Sequence, residues 1–143
     1  MAVYRTTVSS NREPERVFSY LADFSSALQW DPGVVEATHL GDGPATLGTR
    51  FRVVSRFLGR RVPLEYVITA FDRPRLVQLT AQNARLRSLD TITFVAVPTG
   101  TEVTYDATLV ALGAWGVLNP LLGLLFRRVG ERARAGLVRE LNR

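Results

Sequence analysis

LDTITFVAVPTGTEVTYDATL, residues Leu89 to Leu109, reads as two strands folded back on each other: Leu89 to Val97 and Glu102 to Leu109, around a turn at Thr99-Gly100. Threonines and apolar residues alternate on both sides of the turn, which is the period of two expected of a half-buried strand. A glycine-hinged apolar stretch follows, and then a run in which Leu122, Leu125, Phe126, Val129, Ala133, Gly136, Leu137 and Leu141 recur at helical spacing. A curled antiparallel sheet closed by a long C-terminal helix leaves space between the two, so this last third of the chain predicts a cavity. Pro120 suits the first turn of that helix. Gly130 and Gly136 are unusual inside it, since each costs about 1 kcal/mol relative to alanine, and they imply close approach of the helix to the sheet or to a ligand.

Working outward, Ala2 to Ser9 reads as a first strand. Ser10 or Asn11 then caps a helix that accepts Pro14 in its first turn, buries Val17, Phe18, Leu21 and Ala22, and stops near Asp23. Phe24 to Trp30 forms a second short helix, ended by Asp31-Pro32-Gly33. Strands follow at Val34 to Leu40, Thr49 to Leu58, Val62 to Phe71 and Leu76 to Gln82. In the second of these Arg50, Arg52 and Arg56 alternate with Phe51, Val53, Ser55 and Phe57; in the third Leu64, Tyr66 and Ile68 share a face opposite Glu65 and Thr69. The connections are short, which favours an antiparallel meander of about seven strands. The predicted class is α+β: a curved antiparallel sheet, in the order β-α-α-β6-α, wrapped around a long C-terminal helix.

A chain of 143 residues fits one domain, residues 1–143, and is long enough for a core without disulfides or metals. The absence of cysteine excludes disulfides, thiol nucleophiles and cysteine-held metals. With alternating strand from the first residues there is no apolar leader pattern, and a cytoplasmic location is expected. The net charge of +5 invites a nucleic-acid reading, and all 18 basic residues are arginine. They are spread in alternating sets and pairs, such as Arg60-Arg61 and Arg127-Arg128, without a recognition motif, so they read as solvated faces and no nucleic-acid partner is expected.

The order strand, two helices, six strands, long helix, with Pro14-Glu15-Arg16-Val17-Phe18 opening the first helix, resembles the START-like helix-grip superfamily, and more narrowly its SRPBCC members of polyketide cyclase/dehydrase type. Four stretches carry the resemblance: Pro14 to Leu21 with Asp23 after it, Trp30-Asp31-Pro32-Gly33, Gly48-Thr49-Arg50-Phe51, and Gly100-Thr101-Glu102-Val103-Thr104-Tyr105. All are turns, caps or core features, so what the resemblance implies is a fold and a deep cavity for hydrophobic or amphipathic small molecules. The superfamily spans lipid carriers, hormone receptors and aromatic polyketide cyclases.

The inventory for catalysis is thin. His39 is the sole histidine, at a surface or rim position, and the carboxylates are scattered, so neither a metal nor a cofactor is expected. Asp90 lies in period with Ile92 and Phe94, which places it either inside the cavity as an acid, base or hydroxyl anchor, or near the strand end, paired with Arg87 or Arg85. Tyr66 and Tyr105 fall on inward faces. The segment Ala107 to Phe126 has the length of a membrane span, but strand alternation at its start and Gly113, Gly116 and Pro120 within it argue against one. Gly113 to Asn119, carrying Trp115, reads instead as a mobile apolar lip at the cavity entrance, able to touch a membrane surface or a second subunit as a homodimer. The sequence thus predicts a binding or carrier protein for a hydrophobic molecule such as a lipid, isoprenoid or polyketide-like compound. The expected wall is Phe51, Val53, Phe57, Leu64, Tyr66, Ile68, Leu79, Asp90, Ile92, Phe94, Tyr105, Trp115, Leu122, Phe126 and Val129. The alternatives are a cyclase/dehydratase-type enzyme using Asp90 and a tyrosine, and a membrane-docking or partner-binding module.

Overall fold

A computed structural model describes all residues, 1–143. Seven strands, β1 (Ala2–Ser10), β2 (Val34–His39), β3 (Arg50–Phe57), β4 (Arg60–Asp72), β5 (Leu76–Gln82), β6 (Leu86–Val97) and β7 (Gly100–Ala111), form one antiparallel sheet in the order β1-β7-β6-β5-β4-β3-β2. The first strand therefore pairs with the last, as Ala2 opposite Leu109 through Ser10 opposite Thr101. Two helices, α1 (Pro14–Ala22) and α2 (Ala27–Trp30), with a 3-10 turn at Phe24–Ser26 between them, bridge β1 to β2, the two edges of the sheet. The long helix α3 (Asn119–Leu141) follows β7. This is the helix-grip α+β fold predicted from the sequence.

The concave face divides into a packed end and an open end. Over the packed end α1 buries Val17, Phe18, Leu21 and Ala22, and the Phe18 ring meets Phe71 and Phe94 edge-on at 5.2 and 5.1 Å. Such pairs add about 1 kcal/mol each to the area they bury. Phe24 meets Phe51 and Trp30 edge-on and Tyr66 at a tilt, carrying the core from α1 toward α3. At its C-terminal end α3 closes this core with Leu137 and Leu141.

Two glycines set how closely α3 can lie. A Cβ at Gly136 would sit 1.8 Å from the Trp30 carbonyl oxygen, and one at Gly130 would sit 2.5 Å from the Tyr4 ring. Gly136 thus seats α3 on α2, and Gly130 seats it on β1. The expected close approach is to protein at both positions.

The predicted cap of α1 is not formed. Glu13 precedes the helix with no side-chain cap, and Ser10 Oγ instead donates to the Leu141 carbonyl at 2.6 Å while accepting from Arg12 N at 3.2 Å. Asn11 N likewise donates to Asn142 Oδ1 at 3.0 Å. The polar residues after β1 clasp the end of α3 because the fold brings the two ends of the chain together, which local spacing does not encode.

Candidate functional site

Between the open end of the sheet and the N-terminal half of α3 lies a cavity of about 900 Å³. Of its 38 lining residues 26 are hydrophobic, so any occupant would be held mainly by apolar burial. The walls come from Val53 and Phe57 on β3, Leu64 and Tyr66 on β4, Ser88 and Asp90 on β6, and Tyr105, Ala107 and Leu109 on β7; Leu122, Phe126 and Val129 of α3 form the roof.

Of the expected wall, Val53, Phe57, Leu64, Tyr66, Asp90, Tyr105, Trp115, Leu122, Phe126 and Val129 line the cavity. Phe51, Ile68, Leu79, Ile92 and Phe94 do not, and their expected placement is corrected: all five are fully or nearly fully buried in the solid core. They point inward as predicted, but they lie toward the end of the sheet that α1, α2 and the Phe24 turn fill with side chains. Period-two alternation tells which face a residue is on; it does not tell how far along the strand the covering helices extend. Trp30, Asp31 and Ser88 line the cavity and were not expected to. Ser88 could have been found, since it precedes Asp90 by two and β6 begins at Leu86 rather than Leu89.

The polar part of the wall is one connected cluster. Tyr105 donates its hydroxyl proton to Asp90 Oδ2, Ser88 Oγ approaches Asp90 Oδ1 at 3.4 Å, and Tyr66 and Ser88 join hydroxyl to hydroxyl at 2.8 Å. Register explains the reach. Ala81 on β5 stands between Tyr66 and Ser88 in one cross-strand row, and its small side chain leaves the phenol room to cross. Tyr105 pairs with Ile92, which makes Asp90 its diagonal neighbour on β6. Burial pushes the Asp90 carboxyl up to about 6, against the lowering effect of the Tyr105 and Ser88 hydrogen bonds. Burial and the neighbouring Asp90 charge push both tyrosines up as well. Asp31, half-buried on the same wall, is raised by burial, with the Gly33 N–H at 2.9 Å opposing it.

Asp90 therefore faces the cavity, and the strand-end ion pair with Arg87 or Arg85 is not formed. Arg85 instead lies over the Trp115 ring at 4.9 Å. That contact holds the mouth. The lip is a 3-10 helix, Gly113–Leu118, and the Asn119 side chain clamps it by accepting from Ala111 N at 3.0 Å and donating to Ala111 O at 3.4 Å. Around the lip Val117 and Leu124 are 82% and 73% exposed, and Trp115 and Leu121 about half so. The exposed Arg127 and Arg128 next to them make no ion pair. No helix is long and apolar enough to cross a membrane.

His39 sits apart, beside a small polar pocket with Ser19, Asp23 and Arg73. Its Nδ1 donates to the Gly41 carbonyl at 2.8 Å, and its ring meets Phe51 edge-on.

A family model described as polyketide cyclase/dehydrase and lipid transport matches residues 1–142. Solved structures agree on the fold. A START superfamily protein from Mycobacterium smegmatis superposes with a TM-score of 0.80 at 14% identity, covering 99% of this chain and 97% of that one. The protein TTHA0849 from Thermus thermophilus gives 0.79 at 20% identity, over 97% and 96% of the two chains. Protein CV1439 from Chromobacterium violaceum gives 0.72 at 13% identity, over 100% and 99%. No curated protein matches the chain in sequence.

Proposed function

Since the chain belongs to the polyketide cyclase/dehydrase and lipid transport family, we propose that it binds or carries a hydrophobic small molecule, of lipid, isoprenoid or polyketide type, in the space between sheet and α3. One observation carries the reading: a cavity of about 900 Å³ with a mainly apolar wall, near the upper end of the roughly 300–1,000 Å³ range of small-molecule sites. Each methylene moved from water into such a wall contributes about 0.8 kcal/mol, so a chain of ten or more carbons binds without a strong polar contact. Freshly purified protein should carry a retained mass in native mass spectrometry that organic solvent extracts. A bare chain that also takes up no neutral hydrophobic dye contradicts the reading.

A second reading, a cyclase/dehydratase-type enzyme, is favoured by Asp90 itself. A buried carboxyl pushed up to about 6 and touching a phenol can take a proton from a substrate near neutral pH; once protonated it no longer draws the Tyr105 hydroxyl proton, which is then free to turn and stabilise an enolate. Turnover left unchanged by Asp90→Asn removes that assignment.

The mouth supports a membrane surface as the place of exchange. The exposed apolar side chains of the lip stand beside arginines that no carboxylate neutralises, a combination suited to the interface of an anionic bilayer. Flotation with anionic vesicles should occur, weaken with salt and fall with Trp115→Ser. Flotation that is absent, or indifferent to both, contradicts it.

A further inference from the structure

The direction of each hydrogen bond in the buried cluster says what kind of head group the cavity accepts. A hydroxyl has one proton to give. Tyr105 gives its proton to Asp90 Oδ2 and Ser88 gives its own to Oδ1. Ser88 has then nothing to give Tyr66, so in the 2.8 Å contact between them Tyr66 is the donor. All three protons run toward Asp90, and what this wall shows to the cavity is lone pairs. The neighbouring polar groups do not change this. Asp31 accepts from Gly33 N, and Trp30 Nε1 donates to Ser26 Oγ at 3.2 Å. No arginine or histidine pairs with Asp90. Four arginines line the cavity and all are exposed: Arg61 is held by Glu36 at 3.1 Å, Arg134 by Thr6 Oγ1 at 3.0 Å and Arg85 by the Trp115 ring, while Arg60, at the start of β4, makes no ion pair and none of the four reaches Asp90.

Resting on the ligand-binding reading above, we infer that the cavity takes a hydrophobic molecule whose buried end carries a hydrogen-bond donor, a hydroxyl or a protonated amine, and that it rejects one ending in a carboxylate. A donor meets the unused lone pairs of Asp90 and of the two phenols. A carboxylate would set lone pairs against lone pairs and charge against charge in a site of low dielectric, where an unpaired polar group is costly. The raised affinity of Asp90 for a proton is the same property in another form: the buried negative charge has no cation beside it, and a donating ligand supplies what the protein does not. A head group left at the mouth, among Arg60 and Arg85, would have the reverse preference.

Three ligands of equal chain length separate these cases: 1-dodecanol, dodecylamine and dodecanoate, each displacing N-phenyl-1-naphthylamine from the protein at pH 7.5. The alcohol and the amine should bind roughly tenfold or more tightly than dodecanoate, the scale set by one unmet buried hydrogen bond. In Asp90→Asn, which can offer an amide donor, the handicap of dodecanoate should fall severalfold. In Tyr105→Phe, which keeps the carboxylate, it should persist. Dodecanoate binding as well as the alcohol, or a ranking unchanged in Asp90→Asn, overturns the inference. If Asp90→Asn does not fold, the wild-type ranking alone decides. Equal displacement by all three overturns the head-group inference and leaves the cavity reading standing, whereas displacement by none overturns both.

Discussion

Asp90 is buried among Ile92, Leu79 and the two tyrosines because β6 keeps its period of two across a polar position. Its carboxyl is pushed up to about 6 from 3.8, so between those values the folded protein holds a proton that the unfolded chain has released. Stability then falls as pH rises from about 4 to 6 and levels off above, a span worth about 3 kcal/mol for a group so buried. Asp31, also raised by burial, acts in the same direction. Asp90→Asn removes the Asp90 share: its melting temperature relative to wild type should climb between pH 4 and pH 7, and a constant difference across that range contradicts the assigned burial. The sequence left two placements open for this residue. Alternation identified its face, while the choice between cavity and strand end depended on where Arg85 and Arg87 point. Arg85 stacks on Trp115, and a preference of that kind, set between residues far apart along the chain, has no local signature.

At the scale of the elements, α3 carries the clearest contrasts. Gly136→Ala drives a Cβ into the Trp30 carbonyl, an atom of rigid backbone, and should cost about 3 kcal/mol or more. Gly130→Ala meets the base of the Tyr4 ring, a clash relieved only if that half-buried side chain swings aside as a whole, and should cost less than one with backbone. Gly123, on the same helix, has nothing within 4 Å, so Gly123→Ala should stabilise the protein by about 0.5–1 kcal/mol. Chemical denaturation of the three variants tests the order, and equal effects would mean that α3 is not seated as described. Most elements were legible in the sequence, because helical and strand periods are local properties of Val17 to Ala22, of Arg50 to Phe57 and of the β6–β7 pair. What was not legible was long-range. Ser10 looked like a cap and is a clasp for the end of α3; Phe94 and Ile92 looked like cavity wall and are core, because α1 lies over them.

For the molecule as a whole, the division of one concave face into a packed end and an open end is what turns a sheet and a helix into a container. Aromatic side chains from α1, α2 and the Phe24 turn fill the first, and the N-terminal half of α3, with Leu122, Phe126 and Val129, spans the second without filling it. A cavity of this size leaves its lining short of partners, since every void forfeits dispersion contacts. Occupancy by a ligand at one hundred times its Kd should therefore raise stability by about 2.7 kcal/mol, visible as a shift in melting temperature with N-phenyl-1-naphthylamine. The most direct test of the central claim is titration of that dye into wild type, Val129→Trp and Leu109→Trp, with Val95→Trp on the exposed outer face as the control. The account predicts saturable binding of the dye to wild type and to Val95→Trp, and loss of affinity by roughly tenfold or more where an indole occupies the cavity. Dye binding that the two cavity variants leave unchanged would contradict it.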